Sequence, residues 1–205
     1  MNRRGFIKRG ALWVPTIVGL KAYPQALTLA DPAKVLGGAT VAACDTIKEQ
    51  QTTYDAFQTF GEEAAYSWIA TKFTPSSSFS GCSVQVYMRG YPSASTITFR
   101  AGVFADSSGS PGTQSGGWSS TYTASVGTSF VWVDLGSFSS DPSLTSGTAY
   151  FLVLNSVTTS TTNYCLWGRS NSGNSSRGVL SDSDGAGTWG EQSAAGQCDF
   201  KLYGR

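Results

Sequence analysis

The chain has 205 residues and a formal net charge of +1, with aromatic and charged residues at 13% each. The charged share is about half the usual, and 44 of the 135 positions from residue 71 onward are Ser or Thr. Such weak helix formers exclude a helical bundle and suit short strands joined by polar turns. Histidine is absent, which removes Ser-His-Asp and Cys-His nucleophiles and histidine-ligated metals together.

The chain opens on Met-Asn-Arg-Arg-Gly-Phe-Ile-Lys-Arg-Gly, with Arg3, Arg4, Lys8 and Arg9 and no acid. A short apolar stretch from Ala11 to Leu20 follows, and Ala26 and Ala30 offer small-residue cleavage positions. A basic start, a short apolar run and a small-residue exit predict a secretory signal over residues 1–30, too short to span a bilayer stably. Asn2-Arg3-Arg4-Gly5-Phe6-Ile7-Lys8 resembles the twin-arginine export motif, with Asn for Ser and Ile for Leu. The resemblance implies an exported protein: periplasmic, cell-surface or extracellular. Cleavage after Ala30 would remove five bases and no acid, leaving a net charge of −4. That balance argues against nucleic acid, whose phosphates demand a basic footprint. No later run approaches a transmembrane span.

Residues 31–60 are mixed and polar, with Gly37-Gly38, and read as an extended arm or linker. Cys44 in this segment joins Cys82, Cys165 and Cys198 as the chain's four cysteines, at spacings that match no zinc signature. Outside the cytosol an even count predicts two disulfides, in any of three connectivities, with buried free thiols as the alternative. Because twin-arginine export normally carries folded proteins, the fold is expected to form before any bridge does.

Residues 61–205 read as one all-β domain. Apolar runs punctuated by Gly, Pro, Ser and Asn about every ten residues predict eight or nine strands. They fall at about 65–74, 82–90, 95–105, 120–125, 129–136, 148–156, 162–169, 176–182 and 197–204. Cys82, Val84, Val86 and Met88 share one face of a strand, with Ser83, Gln85, Tyr87 and Arg89 on the other. Ile97, Phe99, Ala101 and Val103 repeat the pattern, as do Cys198, Phe200 and Leu202. Phe130–Leu135 and Ala149–Leu154 are apolar on both faces, as in strands central to a sheet or covered by a loop. Even spacing without helices predicts an antiparallel two-sheet β-sandwich of jelly-roll type.

Five segments carry a resemblance. They are Ile69–Thr74, the Asp106-x-x-Gly-x-Pro-Gly turn, Ser146–Leu154, Tyr164–Gly168 and the closing Phe200–Gly204. In this order they resemble the secreted bacterial β-sandwich modules found as appendages of surface proteins. The resemblance implies a non-catalytic, jelly-roll-like domain similar in outline to carbohydrate-binding modules.

The residues supply little for catalysis. A glycosidase needs two carboxylates facing each other across a cleft. Here Asp106, Asp141, Asp182, Asp184 and Glu191 fall in turns, and only Asp134 and Asp199 fall within strands, on a solvated face or in turn hydrogen bonding. Asp182-Ser-Asp184-Gly-Ala-Gly-Thr-Trp189 resembles the Asp-box hairpin, which implies a structural turn. Asp182 and Asp184 holding Ca²⁺ is the alternative, though two carboxylates fall short of its six to eight oxygens. No other cofactor is expected. Aromatics in turns point to binding: Tyr91, Trp118 and Trp189, with Trp167 at a strand end and Arg169, Asn171 and Asn174 as polar neighbours. Flat rings stack on the apolar faces of sugars while polar groups fix hydroxyls. Trp68 and Trp132 are expected in the core or between the sheets. The expected function is an exported carbohydrate- or surface-ligand-binding domain. The rival is a structural or adhesive surface protein that self-assembles through its N-terminal arm, adding a strand to a neighbour's sheet.

Overall fold

The computed structural model describes residues 43–171, 179–193 and 196–205. The expected export signal, the first part of the arm and Asn174 lie outside them. The described residues form fifteen strands: β1 (Thr46–Gln51), β2 (Ala56–Phe60), β3 (Trp68–Phe73), β4 (Phe79–Tyr91), β5 (Ser95–Ser107), β6 (Ser110–Ser115), β7 (Tyr122–Val126), β8 (Val131–Ser137), β9 (Ser143–Leu144), β10 (Tyr150–Ser156), β11 (Tyr164–Ser170), β12 (Val179–Asp182), β13 (Gly190–Ser193), β14 (Gln197–Cys198) and β15 (Phe200–Gly204). All nine predicted strands are present. The higher count comes from β1, β2, β6, β9 and β13, and from a break at Asp199 that divides the last strand. The described helical structure is a single 3-10 turn, Ala64–Tyr66. No described helix is long and apolar enough to cross a membrane.

The strands form two antiparallel sheets of eight and seven strands. The first runs β1-β15-β4-β11-β14, with β2 on β11 and with β8 and β9 on β4. The second runs β13-β12-β3-β10-β5-β6, with β7 on β5. Between them lies the core. Val84, Val86 and Met88 of β4, Phe200 and Leu202 of β15 and Trp167 of β11 meet Ile69, Phe99, Val103, Leu152 and Leu154 of the second sheet, all fully buried. Rings cross the gap edge to face at Phe60–Phe99, with centroids 5.5 Å apart, and tilted at Phe73–Phe200, 5.3 Å apart. At β14 the sheets are also bonded directly: Cys198 N–H donates to Thr71 Oγ1 at 2.9 Å, and Gln197 Nε2 donates to the Lys72 carbonyl at 2.8 Å.

The arm is the first correction. Residues 46–60 are two strands of the first sheet, β1 pairing with β15 and β2 with β11. Phe60, at the end of β2, is fully buried in the core. The signal is weak because β1 is an edge strand whose side chains are largely solvated, so it reads as polar rather than alternating.

The cysteines are the second correction. Cys44 and Cys82 form a disulfide, with Cα atoms 5.9 Å apart, while Cys165 and Cys198 are free and fully buried. Register keeps these two apart. Cys198 pairs with Arg169, four residues along β11 from Cys165. Four residues of strand span about 13 Å, twice the reach of a disulfide. Burial pushes the Cys165 thiol up to about 12, and burial likewise pushes Cys198 well above its ordinary value. Both are therefore protonated and poor nucleophiles. The unfolded, unreduced chain should expose two titratable thiols, the reduced chain four, and the native protein none. Replacing Cys44 by Ser should lower stability by about 2–4 kcal/mol in chemical denaturation.

Candidate functional site

The two outer faces of the sandwich differ. On the second sheet Ala70, Phe151 and Val153 point away from the main core yet are fully buried. Trp68, Phe104, Leu180 and Trp189 pack against them, and Trp118 lies edge-on to Trp68 at 5.5 Å and to Phe104 at 5.6 Å, with the Arg100 guanidinium 4.4 Å over its ring. Gly102 makes room for it, since a Cβ there would lie 2.9 Å from the Trp118 ring. Trp68, Trp118 and Trp189 are half-buried on this face, with part of each ring engaged in packing. The double-apolar pattern of residues 149–154 arises here, because β10 is buried on both sides.

The hairpin at 182–189 is held by its aspartates. Asp182 accepts from Asp184 N–H at 3.2 Å and Gly187 N–H at 3.1 Å, and Asp184 accepts from Ala186 N–H at 2.8 Å. Burial alone would raise the Asp182 pKa, but these backbone donors outweigh it and hold the group below its ordinary value. The carboxylates thus serve the turn, as the Asp-box likeness implies. No group of three or more metal-ligating side chains occurs among the described residues.

The remaining expected site residues scatter. Trp167 is fully buried in the core, its indole N–H donating to the Asp199 carbonyl at 2.8 Å. Arg169 shares the inner side of β11 with it, and its Nε and Nη1 are buried with no hydrogen-bond partner among the described residues. The Asn171 N–H donates to Asp55 Oδ1 at 2.6 Å. Of the expected aromatics only Tyr91, 41% exposed, stands on an open surface.

That surface is the outer face of the first sheet, where a row of rings follows β4. Trp132 and Tyr87 lie 5.1 Å apart, Tyr87 stacks on Phe130 at 5.2 Å, and Tyr54 meets Phe130 at 4.6 Å and Tyr87 at 5.7 Å. Farther along, Tyr91 packs on Tyr164 at 5.4 Å. Arg89 bridges the two groups, its guanidinium 5.3 Å from the Phe130 centroid and 5.7 Å from that of Tyr91. Lys201 Nζ sits 4.1 Å from the centroid of a Trp132 ring. Tyr54, at 44% exposure, and Phe57, at 49%, extend the apolar surface. Trp132, expected in the core, is half-buried here because its register partner is Tyr87, on the outer side of β4. From Tyr87 to Tyr91 the ring-bearing part of β4 is about 13 Å long at ~3.3 Å per residue.

Beneath the rings three strands meet. Asp199, between β14 and β15, donates its N–H to the Gly168 carbonyl at 2.7 Å and accepts Tyr87 N–H at 3.3 Å. Gly168 lets the rings close over this point. A Cβ there would lie 2.9 Å from Tyr87 Cδ1 and 3.2 Å from both Tyr54 Cδ2 and Asp199 Oδ2. The Asp199 side chain is fully buried, and neither carboxylate oxygen has a hydrogen-bond partner among the described residues. Burial, and secondarily the charge of Asp55, pushes its pKa up to about 7. This departs from the solvated role expected of it. Asp134 does behave as expected, exposed and accepting from Gly136 N–H at 2.8 Å.

The raised Asp199 pKa has a fixed sign in stability. The folded chain keeps this proton to higher pH than the unfolded chain does. Its contribution is therefore complete below about pH 4 and is lost as pH rises toward 7, with an upper bound of about 4 kcal/mol. Asp199→Asn should flatten that segment of the stability–pH curve, read as denaturation midpoints from pH 4 to 8. An unchanged slope would show that the carboxyl is hydrated in solution. Comparison with known proteins finds no matching family model, no similar curated protein and no similar solved structure, so the reading of this face rests on its own geometry.

Proposed function

We propose that this chain is an exported, non-catalytic β-sandwich that binds a carbohydrate polymer along the outer face of its first sheet. The carrying observation is the cluster of Trp132, Tyr87, Phe130 and Tyr54, with the Tyr91–Tyr164 pair beyond Arg89, gathered on the outer side of β4 and partly open to solvent. Ring faces pair with the C–H faces of sugars, and ring positions spread over about 13 Å of β4 offer more than one stacking place, which suits a polymer. The rings are held by one another and by the sheet, so the surface needs little ordering on binding. Export is supported by the twin-arginine-like start and by the Cys44–Cys82 disulfide, which suits an oxidising compartment. The resemblance to secreted surface modules points the same way.

This reading moves recognition from turns to a sheet face. Trp118 and Trp189 would act by packing, and Tyr91 alone of the expected aromatics would touch ligand. Self-assembly through residues 31–60 has a narrower basis, because residues 46–60 are spent in the chain's own sheet.

Affinity electrophoresis of the mature protein in gels containing single polysaccharides provides the test. Retardation should occur in at least one gel, with the protein monomeric by light scattering. The pair Tyr87→Ala and Trp132→Ala should abolish retardation, whereas Trp118→Ala should lower the melting temperature and leave retardation unchanged. Loss of binding in Trp118→Ala at a temperature where it remains folded would return recognition to the turns. Concentration-dependent polymers without retardation would favour the assembly reading.

A further inference from the structure

We infer that the polymer this face takes is acidic, a chain of uronic-acid residues, with Arg89 and Lys201 reading its carboxylates. The inference rests on the proposed carbohydrate platform and concerns its charge selectivity. The mature chain has an excess of acids, with a net charge of −4 after cleavage at Ala30. The ring row nonetheless carries two cations, and neither takes part in a salt bridge among the described residues, where the ion pairs are Lys72–Asp106 and Arg205–Asp141.

Their placement argues against a purely neutral ligand. Lys201 lies 4.1 Å from the centroid of a Trp132 ring, so a neutral sugar stacking on that side must displace the ammonium and forfeit a cation–π contact. A uronate carboxylate instead gives the ammonium a partner while its sugar ring packs beside it. Arg89 sits between the Phe130 and Tyr91 rings, with Nε buried and lacking an acceptor among the described residues. Flanked in this way the guanidinium is held in place, and a guanidinium is the donor set best matched to a planar carboxylate.

The cations are also spaced for a repeating charge. Lys201 pairs in register with Gln85, and Arg89 lies four residues farther along β4, so their backbone positions are about 13 Å apart along the strand. A polymer with one carboxylate per sugar presents charges along its whole length, whereas a single small anion cannot reach both. Acids share this face: Asp134 stands across Gln85 from Lys201, and Glu62 lies beside Tyr164 at the Tyr91 end. A uronate would therefore be read by direct contact with the two cations rather than by the net field of the face.

The experiment uses polygalacturonate and its carboxyl-reduced derivative, two probes with the same backbone and different charge. The mature protein should bind polygalacturonate at least tenfold more tightly than the reduced polymer, with affinity falling as salt rises. Lys201→Met, which keeps an apolar contact on Trp132, and Arg89→Gln should each weaken polygalacturonate binding about fivefold or more. Lys201→Met should also strengthen binding of the reduced polymer, since no ammonium then has to leave Trp132, and unchanged melting temperatures of both variants separate lost charge reading from lost folding. Equal binding of the two polymers would overturn the acidic selectivity and preserve the carbohydrate platform. Binding confined to neutral glucans would do the same. No retardation by any polysaccharide would overturn the platform and this inference together.

Discussion

Alternation along β4 is the constraint on which core and surface both depend. Val84, Val86 and Met88 face the second sheet while Gln85, Tyr87 and Arg89 face outward. A slip of one residue against β8 or β15 would drive a guanidinium and a phenol into the core and expose three aliphatic side chains. The core therefore enforces the register that assembles the rings. A strand of thirteen residues gives that rule length enough to lay out a row rather than a spot. Strand pairing then adds the lateral members, Trp132 from β8 and Lys201 from β15, while Tyr54 and Phe130 come from the connections beside them.

At the Asp199 junction sheet geometry and burial conflict. The final strand breaks there, with Cys198 pairing to β11 and Phe200 to β4. Its carboxyl is left under Tyr54 and Tyr87, where backbone donors are already committed to the Gly168 and Asp199 carbonyls. A protonated acid tolerates such a place far better than an ionised one. The second outer face resolves the equivalent problem differently. There an apolar stripe on β10 is packed by Trp68, Phe104, Leu180 and Trp189, giving a small second core on what would otherwise be a wet surface.

Much of the sandwich was legible in the sequence, and for identifiable reasons. Strands with one wet and one dry face, such as 82–90 and 197–204, announce themselves by period two. Residues 149–154 announce burial on both faces by losing that period. The edge strand at 46–51 carries no such signal, since solvent meets most of its side chains. The ligand face was harder to read. Tyr54 and Phe130 lie outside the strands, and Trp132 sits in a run whose apolar character suggests a core. Trp118, beside a Gly pair, has the look of an exposed turn residue although it packs on Trp68 and Phe104. A ring is placed by its strand's register, and register needs the partner strands.

The Cys44–Cys82 bond has a mechanical side. Tension on the chain ahead of Cys44 would not peel β1 from the sheet residue by residue. It would pass through the sulfur pair to Cys82, five residues from Tyr87 on the same strand. The intervening loop, with β1, β2 and β3, would be shielded from the pull. If a tether holds the protein at that end and a polymer drags on the ring row, the force path runs along a few residues of β4 in shear, the direction in which a strand paired on both sides resists best.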